Sequence, residues 1–341
     1  MSFFKHKVLF RCDAADIPEI GTGHLYRCLV IAQLLKGKFR LKNKDIAFLV
    51  KSKNHYKKSL KILSFYKFKV IKIKDSKLKP NSIEEANYLL KHPSKLLILD
   101  RLGKSNLDFF NLIKNSFKKK VIIDDSSKIR RYFDLSLNPL IQNVVKFKNS
   151  YIGFNYLILP TLFIKKKFRV SKNNIFLFFG GYDKKNITIN VIKILNTIPY
   201  KINMFVQNNL KKKIKEISSK NNIFFFNHKN YLSTIRSSNI AITAGGMGLF
   251  DALYLNKKIL CIPQYKHQEI NAKRVYAKKA INLIKIEDKN FKNKFRKLFL
   301  KIYKSKMKEK KLANIQKKII DLSKLRKTSK LIFSLYEKSK Y

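Results

Sequence analysis

Phe10-Arg11-Cys12-Asp13, followed six residues later by Ile20-Gly21-Thr22-Gly23-His24-Leu25-Tyr26-Arg27-Cys28, sets the architecture. The apolar run Val8 to Phe10 reads as a buried strand, and the pattern after Gly23 reads as a helix. A glycine loop joins them. Glycines at such a junction let backbone N–H groups approach an anionic or polar ligand, and the positive end of the helix favours negative charge. Similar apolar runs follow at Ile46 to Val50, Leu96 to Leu99 and Val121 to Ile123, separated by lysine-rich helical stretches. A second series comprises Ile175 to Phe179, Ile202 to Val206, Ile223 to Phe226, Ile240 to Thr243 and Ile259 to Ile262. Strands alternating with helices imply parallel sheets covered on both faces, and two series imply two Rossmann-like α/β domains. The expected domains are 1–160, carrying the glycine and histidine loop, and 172–341. Between them, Pro160 and Lys165-Lys166-Lys167 interrupt the rhythm.

The chain has 341 residues, 45% of them hydrophobic, which suits two cores better than one. Its formal net charge of +55 attracts polyanions in principle. Lys, Ile, Asn and Phe are abundant together while Trp is absent, as an AT-rich coding sequence would give. The charge therefore reads as solvated lysine faces, with no specific nucleic-acid partner expected. Cys12, Cys28 and Cys261 form neither a CxxC pair nor an even set, so neither a disulfide framework nor a zinc site is expected. No apolar run approaches the roughly 20 residues of a membrane-spanning helix. A cytoplasmic monomer is expected. Beyond Asp288, Phe291, Phe295, Leu298 and Ile302 recur at helical spacing among lysines. Such a helix packs one stripe on a domain, and its basic face permits weak attraction to an anionic membrane surface.

His24 opens the first helix, at the carboxyl end of a strand, where open parallel sheets bind ligands. Histidine ordinarily titrates near neutrality and can take a proton from water or a hydroxyl. The structural alternative is a capping or surface histidine. Phe179-Gly180-Gly181-Tyr182-Asp183 repeats the strand, glycine turn and helix order, and could form a phosphate-approaching turn or a plain tight turn. Gly245-Gly246-Met247 follow another strand, and Asp251 lies a turn and a half onward. A carboxylate there could accept hydrogen bonds from ribose hydroxyls while the glycines face a diphosphate. His267 and Gln268 supply polar groups after the next strand. Asp100, Asp124, Asp125 and Asp134 stand at or after strands of the first series. Adjacent side chains on a strand point to opposite faces, so Asp124-Asp125 reads as structural or substrate-orienting in one member and not as a metal pair.

Taken in order, these residues resemble the UDP-sugar hydrolase family of pseudaminic acid biosynthesis. The likeness runs to about Ile286. It rests on Arg11-x-Asp13, Ile20-Gly21-x-Gly23-His24-x-x-Arg27, Asp124-Asp125, Asp134 with Asn138, Gly153-x-x-Tyr156 and Gly180-Gly181-x-Asp183. The resemblance implies a glycosyltransferase-B-type fold, two Rossmann-like domains facing a cleft. It implies hydrolysis of UDP-2,4-diacetamido-2,4,6-trideoxy-β-L-altropyranose with His24 activating water, and Asp13, Gly21, Gly23, Arg27 and His267 around the sugar. Gly180, Gly181, Gly245, Gly246, Met247, Asp251 and Gln268 would hold UDP, without cofactor or metal. The chain departs from the family at Asp251, usually Glu, at His267, usually Asn, at Asp100-Arg101-Leu102, usually ending in Tyr, and at Pro160, near a usual Arg. Two alternatives stay open: a glycosyltransferase of the same fold, and a non-enzymatic polyanion or membrane-surface binder.

Overall fold

The structure, a computed structural model, describes residues 4–15, 17, 20–75, 77–160, 169–181, 183, 185–217, 221–305 and 309–340. The chain divides into two compact units, Met1–Ile158 with Leu322–Tyr341, and Leu159–Asp321. Lys165-Lys166-Lys167 lies outside the described residues.

The first unit runs β1 (His6–Cys12), α1 (Gly23–Phe39), β2 (Ile46–Lys51), α2 (Lys57–Tyr66), β3 (Lys69–Ile73), α3 (Ile83–Leu90), β4 (Ser94–Asp100), α4 (Leu107–Ile113), β5 (Phe117–Ile123), β6 (Leu135–Asn138) and β7 (Ser150–Ile152). The strands form one parallel sheet in the order β3-β2-β1-β4-β5-β6-β7. Alternate residues feed opposite faces, as strand geometry requires. Val8, Phe10, Phe48 and Ile98 pack beneath α1, whereas Leu9, Leu49, Leu97 and Leu99 pack beneath α3 and α4. Burial on both faces explains why these strands read as unbroken apolar runs.

The second unit runs β8 (Ser171–Phe178), α5 (Ile187–Leu195), β9 (Asn203–Gln207), α6 (Lys211–Lys215), β10 (Asn222–Phe226), α7 (Tyr231–Ser237), β11 (Ser238–Thr243), α8 (Met247–Tyr254), β12 (Lys258–Cys261), α9 (Lys266–Tyr276), β13 (Asn282–Leu283), α10 (Phe291–Lys304) and α11 (Glu309–Ile319). Its sheet is also parallel, in the order β10-β9-β8-β11-β12-β13. The expected stripe on α10 packs into this core, with Phe295 and Ile302 buried and Phe291 and Leu298 against them.

The last helix, α12 (Leu322–Lys338), corrects the expected boundary. It belongs to the first unit, not the second. Its stripe Leu325, Ile332 and Tyr336 is buried, and the rings of Phe333 and Tyr336 lie 5.6 and 4.7 Å from that of Phe39 on α1. An apolar stripe specifies that a helix must pack but not on which core. Among the described residues no helix is long and apolar enough to cross a membrane.

Candidate active site

In both sheets the strand order reverses direction beside the first strand, between β1 and β4 and between β8 and β11. Loops at the carboxyl ends of such strands diverge and leave room for ligands. The register pairs Cys12 with Asp100, so the last residues of β1 and β4 are neighbours.

From β1 the chain turns through Gly21, whose φ of 55° suits glycine, and enters α1 at Gly23. This brings His24 over the end of β4. Its Nδ1 lies 2.6 Å from Asp100 Oδ1 and 3.1 Å from Arg27 Nη2. A guanidinium nitrogen cannot accept a hydrogen bond and an ionised carboxylate cannot donate one. The shorter contact therefore decides the tautomer of the neutral ring: Nδ1–H donates to Asp100, which leaves the lone pair on Nε2. The His24 side chain retains 15% exposure, while Asp100 has none.

Arg27, one helical turn further, donates to Asp100 through Nε at 2.9 Å and Nη2 at 2.6 Å, and through Nη1 to Asp124. Burial opposes ionisation of Asp100, but Arg27 and His24 outweigh it and hold the carboxyl below its ordinary range. Burial likewise opposes the charge on Arg27, and Asp100 and Asp124 reverse that effect. Asp124 stands at a left-handed φ of 51° just beyond β5. Its Oδ1 accepts from the amides of Leu140 and Ile141 at 3.0 and 3.1 Å. Arg27 is expected at the substrate; in the structure its guanidinium donates to these two carboxylates.

Asp13, also expected at the substrate, belongs to a second buried network. It accepts from Arg11 Nη1 at 2.8 Å and from the Lys51 amide at 2.9 Å. Arg11 Nε donates to Glu85 at 2.7 Å, and Arg101 donates to Glu85 at 2.7 Å and to Asn81 at 2.7 Å. Glu85 lies in the first turn of α3, where Ser82 accepts from its amide. Asp125 binds the amides of Ser105 and Ser127, and Asp134 binds Lys119 and the Lys120 amide. Each of these carboxylates is held by donors of the first unit itself.

The second unit builds its carboxyl end from backbone. Gly180 follows β8 at φ 82°. Asp183 then accepts from the amides of Ile187 and Thr188 at 2.9 and 2.8 Å, so its carboxylate occupies the start of α5. Helix α8 differs. It begins after Gly246 with neither a side-chain cap nor an acidic residue in its first turn. Gly245 is held against α9, since a Cβ there would lie 2.2 Å from the Gln268 carbonyl oxygen. Gln268 Oε1 accepts from the Gln264 amide at 3.0 Å, and Gln264 Nε2 donates to the Phe179 carbonyl at 2.6 Å. These bonds join the loops after β8 and β12 around Gly245 and Gly246. Asp251 is buried and accepts from Tyr231 Oη at 2.9 Å. His267 is exposed in the first turn of α9, its ring stacked on Tyr265 at 5.7 Å.

The structure thus brings Gly21, Gly23, His24 and Arg27 together in one unit, and Gly180, Gly181, Gly245, Gly246, Met247 and Gln268 in the other. Sequence reading did not join Asp100 to His24 or Asp124 to Arg27. Separations of 76 and 97 residues carry no local signal. Only the expectation that each carboxylate follows a strand hinted at it.

Comparison with known proteins adds three findings. The Glycosyltransferase family 28 C-terminal domain matches residues 170–331. The chain is 28% identical over 280 residues to the uncharacterized protein MJ1062 of Methanocaldococcus jannaschii. That alignment covers 73% of this chain and 54% of the relative, so the chain spans about half the relative's length. Among solved structures, MurG of Acinetobacter baumannii is similar over 96% of this chain and 99% of its own, with a TM-score of 0.61 and 11% identity. LpCGTa in complex with UDP is similar over 97% and 99%, at 0.65 and 12%. VinC in complex with dTDP is similar over 97% and 100%, at 0.61 and 11%. At such identities the likeness is one of fold. The chain has two Rossmann-like parallel-sheet units of the glycosyltransferase-B type, and the family 28 C-terminal domain match covers most of the second unit and the start of α12.

Proposed function

We propose that this chain is an enzyme that cleaves the anomeric carbon–oxygen bond of a nucleoside-diphosphate sugar, with UDP as the nucleotide, and passes the sugar to an acceptor hydroxyl. The observation that carries this reading is the His24–Asp100 contact at the carboxyl end of a parallel sheet. An imidazole with its lone pair on Nε2 and a carboxylate behind Nδ1 is equipped to take a proton. As it takes the acceptor's proton, the acceptor oxygen bonds to the anomeric carbon from the face opposite the diphosphate. The bond to the phosphate oxygen breaks, its electron pair leaves with UDP, and the configuration inverts. Asp100 stabilises the imidazolium.

The nucleotide is assigned to the second unit. The uncapped start of α8 at Gly246 and Met247 offers amides and a positive dipole to a diphosphate whose charge grows as it leaves. Gly180 and Gly181 line the adjacent loop, and Asp251 and Gln268 are the candidates for the nucleoside side. The family 28 match and fold relatives carrying UDP and dTDP support that ligand class.

A second reading takes water as acceptor, making the chain a hydrolase that frees the 2,4-diacetamido-2,4,6-trideoxy sugar for nonulosonic acid synthesis. The ordered motif set from Arg11 to Asp183 favours it. UDP release from a panel of UDP-sugars, with and without acceptor alcohols, separates the two. Release in water alone from the diacetamido sugar establishes hydrolysis. Release only on adding an alcohol establishes transfer. A His24→Ala variant as fast as wild type would remove His24 from the role of base.

A further inference from the structure

The acceptor of the proton sits in a charge cluster whose sum matters. Asp100 and Asp124 contribute two negative charges and Arg27 one positive charge, which leaves one negative charge while His24 is neutral. Protonating His24 brings the cluster to zero. Without Asp124, the same step would take a neutral cluster to a net positive one in a largely buried place, where an uncompensated charge is expensive. Asp124 is joined to His24 through Arg27, and the Leu140 and Ile141 amides fix its carboxylate.

We propose that Arg27 and Asp124 are positioning residues that set the proton affinity of His24 through Asp100. Arg27 grips both Asp100 oxygens and so orients the carboxylate that selects the Nδ1–H tautomer. Asp124 supplies the negative charge that lets the imidazolium form. This inference rests on reading His24 as the base. The charged and titratable groups around it are Asp100 from β4, Arg27 from α1 and Asp124 from beyond β5. The thiols of Cys12 on β1 and Cys28 on α1 lie beside them. Burial and the neighbouring Cys12 push Cys28 well up, so it contributes no charge.

The test is a titration of the His24 ring by nitrogen-15 and proton NMR in the full chain without substrate. It compares wild type with Asp124→Asn, Arg27→Gln and Arg27→Lys. Asp124→Asn should lower the midpoint and Arg27→Gln should raise it, each by about one pH unit, a tenfold change in the ionisation constant. Arg27→Lys keeps the charge and should return the midpoint toward wild type. A purely structural role gives no such opposed shifts. Unchanged midpoints, or shifts of one sign in both neutral variants, would overturn the proposal. Should the variants fail to fold, the wild-type spectrum still decides, because a proton on Nε2 instead of Nδ1 would overturn it. Turnover does not enter this titration. Opposed shifts in a protein whose His24→Ala variant stays fully active would remove His24 from the role of base and leave the electrostatic coupling standing.

Discussion

The two sheets share the strand order 3-2-1-4-5-6, counting from the first strand of each unit, yet their carboxyl ends are furnished with different materials. In the first unit the space is filled by polar and charged side chains that hold one another: His24, Arg27, Asp100 and Asp124 in one cluster, Arg11, Asp13, Glu85 and Arg101 in another. In the second unit the same positions carry glycine turns, amide side chains and the open start of α8. A proton acceptor must be a side chain with a defined tautomer, so it needs charged neighbours. A diphosphate already carries its charge, so backbone amides and a helix dipole suffice. One topology thus hosts two kinds of chemistry, and the loops decide which.

That contrast fixes what substitutions should do. The largest effect is expected for His24→Ala, with turnover lost by about 10²–10⁴-fold, the usual contribution of a general base. UDP affinity measured by calorimetry should persist, and its loss would undo the separation of roles. Next comes Asp100→Ala. It leaves Arg27 with Asp124 as its remaining ion-pair partner and its Nε and Nη2 donors without the carboxylate they bond, and should destabilise the first unit by about 1–3 kcal/mol in chemical denaturation.

Acid should act on the same unit. Burial raises the Glu85 carboxyl, but Arg101 and Arg11 bring it down from 4.5 to about 2. A depressed acid stabilises the fold above its ordinary value, and that stabilisation disappears as pH falls through the folded value. The unfolding midpoint should drop between pH 4.5 and about 2. Glu85→Gln should flatten that drop while lowering stability at every pH.

In the second unit the sensitive positions are glycines. Gly245→Ala drives a Cβ against the Gln268 carbonyl, displaces the start of α9, and should weaken UDP binding by about 1–3 kcal/mol, the usual scale of overpacking. Gly246→Ala should do least, by well under about 1 kcal/mol. Its nearest obstacle is the flexible end of Gln268, at 3.7 Å. Equal losses at the two glycines would show that close packing does not govern this site.

Much of the fold was legible in the sequence because its strands leave continuous apolar runs, most of them buried on both faces, β9 and β10 excepted. Nine such runs mark β1, β2, β4, β5 and β8 to β12. The strands that escaped are short or interrupted. Lysines punctuate β3, Lys69-Val70-Ile71-Lys72-Ile73, at a sheet edge, and β13 has two residues. Ser136 and Asn138 break the apolar pattern of β6, and β7 has three residues. In the site, His24 and Arg27 were visible because they share a helix with the glycine loop. Asp13 and Asp183 each follow a strand beside a glycine loop, yet one accepts from Arg11 and the other from the first amides of α5. Only three-dimensional neighbours separate those roles. Asp251, readable as a solvated helix residue or a ribose ligand, is buried against Tyr231, twenty residues away.

The return of α12 to the first unit has a consequence for how the protein is made. Residues 159–321 form an uninterrupted unit, complete once they leave the ribosome, whereas the unit begun first lacks its α12 until residues 322–340 emerge. Domains generally mature in the order of synthesis, and here that order is reversed. During most of translation the ring of Phe39 and the surface of α1 around it await their cover. A chain stalled just short of Leu322 would present a finished second unit attached to an unfinished first one, and its exposed apolar surface is what a chaperone would meet.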